Sequence, residues 1–419
     1  MEKYFIKCTI ISVGICTVIL GGCGTKAQTL PLSQLSATAQ ALASHRTEHI
    51  LYSFRKQPDG SQPLGGLAID TRGNLYGTTK FGGTAVSGTV YVLSPSSTGY
   101  TERILHNFSG PPDGNYPTGS LSVDSQGTLY GTTQVGGAQA QYGTVFDLKP
   151  SGTGYAERIL HSFNPFYSSD GAYPYSGVVI DNNGVLYGTT SAGGYGGQGT
   201  VFILKPSGSG YERDGWGFGE GNDGVAPYGG LLLEKHGFLY GTTSQGGAKD
   251  FGTVFKVKAS GIVFPKVIHT FNGSNGASPQ SSLVLGKNGS IYGTTVEGGA
   301  ANSGTIFRLS VHNRASTETV LYSFNGSADG AHPYGAPLLG ARGVIYGTAA
   351  GGGAFGNGVV YALTPSGTGY TERTVYSFKG KPDGSAPNGA LIFTKTKELL
   401  GTTQFGGKAD RGTVFAINP

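Results

Sequence analysis

Residues 75–90 read LYGTTKFGGTAVSGTV, and the elements LYGTT, a glycine pair and GTV return together through the rest of the chain. Successive copies lie 52 to 57 residues apart, measured at the tyrosine of LYGTT. The residues at this position are Tyr76, Tyr130, Tyr187, Tyr240, Tyr292, Tyr346 and Leu400. A fixed period of this size is typical of repeat proteins, in which each copy is one supersecondary unit that cannot bury its apolar face alone. We therefore expect one closed array over residues 47–419.

Each copy contains four short apolar runs, which in the second copy cover residues 117–124, 128–133, 143–148 and 156–163. The runs are rich in Val, Leu, Tyr, Phe and Thr and are separated by turn residues, a pattern that indicates β-strands. Four such strands joined by tight turns form an antiparallel meander. The sequence predicts an all-β fold, a seven-bladed β-propeller of four-stranded antiparallel blades, with the first strand of each blade nearest the axis.

The two ends of the repeated region indicate how the ring closes. The region begins with a lone outer-strand run at 49–54 (HILYSF) and ends after a third run at 412–417. We predict that the N-terminal strand completes the last blade, since this pairing removes an exposed sheet edge. Closure should bury Ile50 and Phe54, and each burial should contribute roughly 1.5–3 kcal/mol.

The N-terminal residues have the composition of an export signal. Lys3 and Lys7 precede an uncharged apolar run over residues 8–20, which is shorter than the roughly 20 residues that span a membrane. Residues 20–23, LGGC, resemble the lipobox of bacterial lipoproteins. The resemblance implies a lipoprotein signal peptide over residues 1–22 and lipidation of Cys23. Ordinary signal-peptide cleavage after Ala27 is the alternative.

Residues 24–46 are rich in Ala, Ser, Thr and Gln, so we interpret 23–46 as the lipidated cysteine and a flexible tether. The lipobox resemblance implies an exported protein in the bacterial cell envelope that contacts the membrane through its lipid anchor, with the outer membrane favoured. All three cysteines lie within the first 23 residues, so the repeated region has neither a disulfide nor a cysteine metal ligand.

The charge pattern argues against a nucleic-acid partner. The formal net charge is +5, and residues 1–22 carry two lysines and one glutamate, so the remainder carries +4. Lysine and arginine are scattered and often adjoin an acid, as in Glu102-Arg103. A nucleic-acid site instead needs a continuous basic patch that neutralises phosphates.

The repeat unit resembles the GloVer-type tandem repeat, a bacterial family with the pattern L-Y-G-T-T-x-x-G-G-x4-G-T-V-F. Copies at 129–146 and 239–255 follow it nearly unbroken, whereas the sixth copy reads GTAAGGG at 347–353 and the seventh has Leu400 for tyrosine. The glycine pair also resembles kelch propellers, but the tryptophan expected there is missing. The GloVer resemblance implies an envelope or secreted protein and no settled activity.

Residues present in every copy are most simply part of the blade, and a functional site should appear as a departure from the repeat. His106, His161 and His269 share an outer-strand position with Tyr and Trp, so we interpret them as packing residues. An Asp-Gly pair recurs between blades, and a turn is favoured over a weak calcium site there. The chain lacks a G-x-S-x-G elbow and an H-E-x-x-H motif, and we predict no catalytic residue, no metal and no cofactor.

The remaining candidates lie on one predicted face, because the Asp-Gly and glycine-pair connectors emerge on the same side of a meander. Aromatic side chains on these loops suit stacking on sugars or gripping a peptide. The third copy departs most, with an extended loop at 164–169 and the only tryptophan. The predicted ligand-binding residues are Phe166, Tyr167, Trp216, Tyr116, Tyr175, Tyr228, Tyr334 and His332.

The leading functional hypothesis is a lipid-anchored envelope propeller that acts as a non-enzymatic binding or scaffold module for a glycan or a protein, as a monomer. The alternative is a polysaccharide lyase or hydrolase at the axial end of the ring, for which His332 is the candidate to substitute. An enzyme should show one cluster of non-repeated acids or histidines at the axis. A purely structural surface protein is a third possibility, recognisable by self-association without a ligand.

Overall fold

A computed structural model describes residues 10–11, 15–16, 48–97, 99–138, 141–166, 170–219, 223–260, 264–312 and 315–419. The larger of two compact units comprises Glu48–Ile417 and Pro419. Within the smaller unit, Ile10–Ile11 pairs with Ile15–Cys16. The predictions for Cys23, the boundary after residue 22, the tether and Tyr167 lie outside the described residues. No helix in the described ranges is long and apolar enough to span a bilayer.

The larger unit is a seven-bladed β-propeller, as predicted. Each blade in the described chain is a four-stranded antiparallel sheet, and we letter its strands a to d in their order across the sheet, which starts at the axis. The bounds from a to d are Ala68–Ile69, Leu75–Thr79, Thr89–Ser96 and Gly99–Asn107 in blade 1; Ser122–Val123, Leu129–Thr133, Thr144–Ser151 and Gly154–Ser162 in blade 2; Val179–Ile180, Leu186–Thr190, Thr200–Ser207 and Gly210–Gly217 in blade 3; and Leu232–Leu233, Phe238–Thr243, Thr253–Lys258 and Lys266–Thr270 in blade 4.

The remaining blades follow the same plan. Their strands are Val284–Leu285, Ile291–Thr295, Thr305–His312 and Ala315–Ser323 in blade 5; Leu338–Leu339, Ile345–Ala349, Val359–Ser366 and Gly369–Ser377 in blade 6; and Ile392–Phe393, Leu399–Thr403, Thr413–Ile417 and Glu48–Ser53 in blade 7. Short pairings join Gly60–Ser61 to Phe81–Gly82, Gly114–Asn115 to Val135–Gly136, Gly171–Ala172 to Ala192–Gly193, and Gly384–Ser385 to Phe405–Gly406, and Ala341–Gly343 is a 3-10 helix.

The N-terminal strand closes the ring. Glu48–Ser53 pairs antiparallel with Thr413–Ile417 and so completes blade 7. Phe54 is fully buried, as predicted, but Ile50 is 38% exposed. The expected burial of Ile50 is therefore wrong: a β-bulge between Ile50 and Tyr52 shifts the register, so Ile50 no longer shares the alternation that would place it with Phe54. Phe54 carries the apolar contribution to closure.

The innermost strand is shorter than the sequence predicts. The expected run at 117–124 contains only two strand residues, Ser122–Val123, and the rest is an irregular segment that approaches the axis. Neighbouring blades nearly touch there. A Cβ atom on Gly119 would lie 2.2 Å from the backbone nitrogen of Gly177 in the next blade. This crowding leaves little room for a longer strand.

Aromatic rings fill the space between blades. A phenylalanine just after each strand d packs edge to face on a ring from strand c of the next blade, as Phe108 does on Phe146 with centroids 5.2 Å apart. The glycine of LYGTT lies under that second ring. In blade 2, a Cβ atom on Gly131 would lie 2.5 Å from Cζ of Phe146. The glycine therefore recurs because the interblade ring occupies the space of its side chain.

The two threonines of LYGTT have separate roles. The first bonds the next blade, and in blade 7 this contact closes the ring, since Thr402 Oγ1 donates to the carbonyl of Gly65 at 3.1 Å. The second bonds within the blade, as between the hydroxyls of Thr133 and Thr144 at 2.8 Å. Both hydroxyls are buried, and a buried polar group without a partner is costly, so the pairing explains why the threonines recur.

Candidate functional site

The d-to-a and b-to-c connectors share one face of the ring, as predicted, because Gly114–Asn115 pairs with Val135–Gly136. At this face the residue after the proline of each d-to-a connector lies at the axis. We call this ring of seven side chains the axial mouth. Its members are Leu64, Thr118, Tyr175, Tyr228, Gln280, Tyr334 and Asn388. With Lys80 and Gln404 they line a cavity of 390 Å³.

A repeated backbone feature places these residues at the axis. The residue before each of these prolines has a positive φ, for example 59° at Tyr116 and 57° at His332. The Tyr116 amide donates to the carbonyl of Ser87 at 2.9 Å, and its carbonyl accepts from the amide of Gln134 at 3.0 Å. Two hydrogen bonds thus hold an uncommon conformation that directs the following proline inward. A second cavity of 350 Å³ is lined by the same seven residues and by the mostly small residues that follow them along the chain.

Tyrosines form the aromatic part of the axial mouth. Tyr175 and Tyr228 pack edge to face with centroids 4.7 Å apart. The amide of Gln134 donates to the phenol oxygen of Tyr175 at 2.6 Å, which leaves the phenol hydrogen free to donate elsewhere. Tyr334 is 38% exposed. Burial raises the pKa of Tyr175 and Tyr334, so these phenols are neutral at physiological pH.

Amide side chains form the other part. Asn388 donates to Gln404 at 2.9 Å, and Gln404 donates to Gln62 at 3.2 Å. Gln280 donates to the hydroxyl of Ser278 at 3.1 Å. Lys80 is the single charged residue lining the 390 Å³ cavity, all of whose lining residues are described. The mouth therefore presents tyrosine rings and neutral hydrogen-bonding groups.

The other predicted site residues do not line this cavity. Tyr116 packs edge to face on Phe81 at 5.1 Å, farther from the axis. Phe166 is 81% exposed and its ring lies 5.8 Å from that of Tyr142. Trp216 is 6% exposed within the core between blades 3 and 4, and therefore lies outside the mouth. His332 is exposed, and its Nδ1 lies 3.0 Å from the carbonyl of Val296.

Sequence reasoning missed the polar half of the mouth. Gln280, Asn388 and Gln404 carry no aromatic signal, yet they occupy positions equivalent to those of the predicted tyrosines or next to them. The available signal was positional, since the residue after the proline of the d-to-a connector varies among the copies, with leucine, threonine, tyrosine, glutamine or asparagine there.

The outer rim carries a second repeated arrangement, which we call the seam cluster. We call the outer contact between two neighbouring blades a seam. In this cluster, an aromatic ring on strand d of one blade meets the aspartate of the following connector and a side chain from strand d of the next blade. Asp59 accepts from the phenol of Tyr52 at 2.8 Å and from the amides of Arg55 and Gly60 at 2.8 and 2.7 Å. These bonds account for the aspartate as a turn residue. His106 packs on Phe108 with centroids 4.6 Å apart, as the packing interpretation requires.

Glutamates at these seams have unusual acidities. Burial, followed by the charge of the adjacent aspartate, raises the pKa of Glu102 to about 7 and that of Glu48 to about 8. Burial also raises the pKa of Glu372 to about 7, with Asp329 contributing. Two neighbouring carboxylates in a partly buried place repel each other, so ionising both costs free energy and one carboxyl group retains its proton.

One solved structure supports the fold, and a second is similar at a lower score. A crystal structure of a "putative 6-phosphogluconolactonase" from Bacteroides uniformis ATCC 8492 matches with a TM-score of 0.52 and 15% identity over 80% of this chain and 88% of that one. A similarly described protein from Bacteroides fragilis NCTC 9343 has a TM-score of 0.48 at 14% identity, covering 83% and 89% of the two chains. A likeness at these identities establishes the fold alone. No curated protein matches the sequence significantly.

Comparison of the sequence with family models identifies the family. The model of the Gloeobacter/Verrucomicrobia repeat matches residues 36–213, 141–339 and 310–419, which together span the propeller. These matches agree with the resemblance found in the LYGTT units, and the chain belongs to the Gloeobacter/Verrucomicrobia repeat family.

Proposed function

We propose that the protein is a non-enzymatic binding module whose axial mouth takes an uncharged polar ligand, with a neutral glycan as the ligand class. The supporting observation is the ring in which Tyr175, Tyr228 and Tyr334 share one 390 Å³ cavity with Thr118, Gln280 and Asn388. A cavity of this volume is of the size that ligand pockets commonly have, and a rigid ring holds it open.

The chemistry of the mouth favours sugars. A sugar ring offers C–H groups that pack on aromatic faces and hydroxyls that both donate and accept hydrogen bonds. Gln280 and Asn388 each supply both functions, and the phenol of Tyr175 is positioned by Gln134. Lys80 is the one charge in the lining, so a strongly anionic polymer has little to pair with.

The competing hypothesis of a polysaccharide hydrolase requires different groups. Glycoside hydrolysis generally uses two carboxyl groups, about 5–10 Å apart across the scissile bond. The titratable residues in the described lining of the 390 Å³ cavity are three tyrosines and Lys80. His332 lies on the same face, but its Nδ1 is within hydrogen-bonding distance of the Val296 carbonyl. These features favour binding over catalysis at the mouth.

The test is calorimetric titration of the detergent-purified full chain with soluble neutral and anionic polysaccharides. We expect binding of a neutral glycan, at least about a tenfold loss of affinity in Tyr228→Ala, and little change in Tyr116→Ala, which removes a tyrosine outside the mouth. Equal effects of the two substitutions would place the ligand elsewhere. Shortening of the glycan during incubation would support the hydrolase hypothesis instead. Binding to proteins but to no glycan would show that the ligand is a protein.

We also propose that the propeller is carried on a lipid anchor at Cys23 in the cell envelope, on the basis of the lipobox-like LGGC motif after the apolar run. Metabolic labelling with a radioactive fatty acid should mark the wild-type chain but not a Cys23→Ala variant. Labelling absent from both, together with a mature chain beginning after Ala27, would show ordinary signal-peptide cleavage. Fractionation of the labelled protein would then identify the membrane.

A further inference from the structure

The seam cluster between blades 1 and 2 differs from the others in composition. It joins His106 on strand d of blade 1, Asp113 in the connector and Glu157 on strand d of blade 2. One nitrogen or oxygen from each side chain lies within 4.8 Å of the other two. Imidazole nitrogen and carboxylate oxygens are a donor set that divalent transition metals prefer.

The distances suit an ion better than a hydrogen-bonded network. Nε2 of His106 lies 3.4 Å from Oδ2 of Asp113, beyond the usual range of about 2.7–3.2 Å for a hydrogen bond. Two ligands that bind one Zn²⁺ tetrahedrally at about 2.0–2.1 Å are about 3.3 Å apart. Nε2 of His106 and Oε1 of Glu157 are both buried and have no hydrogen-bond partner within the described structure.

Comparison with the other seams shows what is particular to this one. Three seams place tyrosine in the histidine position, with the combinations Tyr52–Asp59–Glu102, Tyr322–Asp329–Glu372 and Tyr376–Asp383–Glu48. A phenol bonds the aspartate directly, at 2.8 to 2.9 Å. At the seam between blades 4 and 5 an asparagine, Asn275, stands in the aspartate position and donates to Glu318 at 2.9 Å.

The seam between blades 2 and 3 replaces the glutamate with a cation. The two hairpins pair in the same register from the turn, and Arg213 pairs with Leu204 where Glu157 pairs with Leu148. Arg213 then lies 3.4 Å from Asp170, which is also 3.1 Å from His161. A guanidinium supplies positive charge to the aspartate there, whereas at the seam of blades 1 and 2 Glu157 occupies the equivalent position and no described lysine or arginine pairs with Asp113.

We propose that His106, Asp113 and Glu157 bind one divalent transition-metal ion of the Zn²⁺ class, which clamps blade 1 to blade 2. The ion supplies the positive charge that the Arg213 guanidinium supplies at the next seam. The side chains of His106 and Asp113 are 21% and 17% exposed, so the site lies close to the surface, and a water can serve as the fourth ligand. In a tetrahedral site the donor atoms lie about 3.3 Å apart, so donor pairs that are now up to 4.8 Å apart must close by up to about 1.5 Å on binding.

The surrounding contacts support the ligands. The ring of His106 packs on Phe108 at 4.6 Å. The amides of Ser109 and Gly114 donate to the two oxygens of Asp113 at 2.9 and 2.6 Å, and the Ser109 hydroxyl donates at 3.1 Å. Outer-shell bonds of this kind orient metal ligands and strengthen binding. The Ser109 hydroxyl is free to rotate away if the ion needs that lone pair of Asp113.

The test is calorimetric titration of the full chain with Zn²⁺ after chelator treatment, combined with elemental analysis and with Co²⁺ absorption as a probe of coordination geometry. His106→Tyr is the matched variant, because it recreates the Tyr–Asp–Glu combination that the fold already accommodates at three seams. Glu157→Gln is the second variant, and His161→Tyr at the next seam is the control.

We expect one tightly bound Zn²⁺ per chain, tetrahedral Co²⁺ bands and a melting temperature that rises with Zn²⁺. Affinity should fall by at least about 100-fold in His106→Tyr and in Glu157→Gln, since loss of a ligand should cost no less than loss of an outer-shell partner. His161→Tyr should bind as the wild type does. The proposal is overturned if the wild type binds no zinc, or if both variants bind it with unchanged affinity, which would assign the ion to other histidines.

Discussion

Ala349 faces Val359 across strands b and c of blade 6, at the position where the other six blades pair two hydrogen-bonded threonines. Both residues are fully buried. The sixth copy therefore departs from the repeat at two paired positions: Ala349 replaces the last threonine of LYGTT, and Val359 replaces the threonine of GTV. A polar pair has been exchanged as a unit for an apolar pair, which avoids leaving one buried hydroxyl unpartnered.

This relationship predicts strong coupling between the paired threonines. In blade 2, Thr133→Ala alone should lower the free energy of unfolding by about 1–3 kcal/mol, because it leaves the Thr144 hydroxyl without its partner. Thr144→Val should cost less, because Thr133 Oγ1 still donates to the carbonyl of Val135 at 2.9 Å. The double variant reproduces blade 6 and should recover much of that loss. Urea denaturation of the four proteins measures the coupling. Losses that simply add in the double variant would refute the account of blade 6.

Closure of the ring predicts that Phe54 matters far more than its strand neighbour. Phe54 is fully buried and packs on Tyr91 of blade 1 at 5.1 Å, whereas Ile50 is 38% exposed. Phe54→Ala should cost about 3–5 kcal/mol, and Ile50→Ala should cost less than about 1 kcal/mol. Deletion of residues 48–54 should cost at least as much as Phe54→Ala. An unchanged melting temperature in the deletion would contradict closure by this strand.

The glycine of LYGTT predicts a steric effect. A Cβ atom on Gly131 would lie 2.5 Å from Cζ of Phe146, so Gly131→Ala should destabilise the protein by about 1–3 kcal/mol. Phe146→Leu in the same chain should relieve part of the clash. Gly154→Ala is the control, because its nearest atom would lie 3.8 Å away. Equal melting temperatures for the two alanine variants would show that the ring moves aside without cost.

The raised pKa of Glu48 predicts how the stability of blade 7, which the N-terminal strand completes, depends on pH. Burial and the Asp383 carboxylate raise its pKa to about 8, while Lys379 opposes the shift and Tyr376 bonds the same aspartate. A raised folded pKa stabilises the fold fully below about 4.5, and this contribution is lost as the pH rises toward about 8. Melting temperatures from pH 5 to 9 should therefore decline, and Glu48→Gln should flatten the decline. Exposed Glu212→Gln is the control, and identical slopes in all three proteins would contradict the prediction.

Much of the architecture was predictable because its causes lie within one repeat. The strand pattern, the turn residues and the spacing of LYGTT are local, and seven copies of them repeat the same evidence. The pairing of the N-terminal strand with the last blade was also predictable, since His49–Phe54 and Gly412–Ile417 are the unmatched runs at the two ends. The burial of Ile50 was predicted wrongly because periodicity alone does not reveal the bulge between Ile50 and Tyr52.

The site was less accessible to such reasoning. Tyr175, Tyr228 and Tyr334 were identified as aromatic residues on loops, but their partners Gln280 and Asn388 are separated from them by roughly one repeat or more. Trp216 looked like a surface specialisation, yet loss of the strand bulge accompanies its burial between blades 3 and 4. Only the packing of one blade on the next decides which of these side chains meet.

The sequence by itself determined the LYGTT strand, its glycine-rich connector, the number of copies and the closure of the ring, because hydrophobic period and turn chemistry act over a few residues. The tertiary structure alone decided that His106, Asp113 and Glu157 converge at one seam and that seven post-proline residues surround one axis. Those groups come from different copies, and their distances are set by how the blades pack around the ring, which no single repeat encodes.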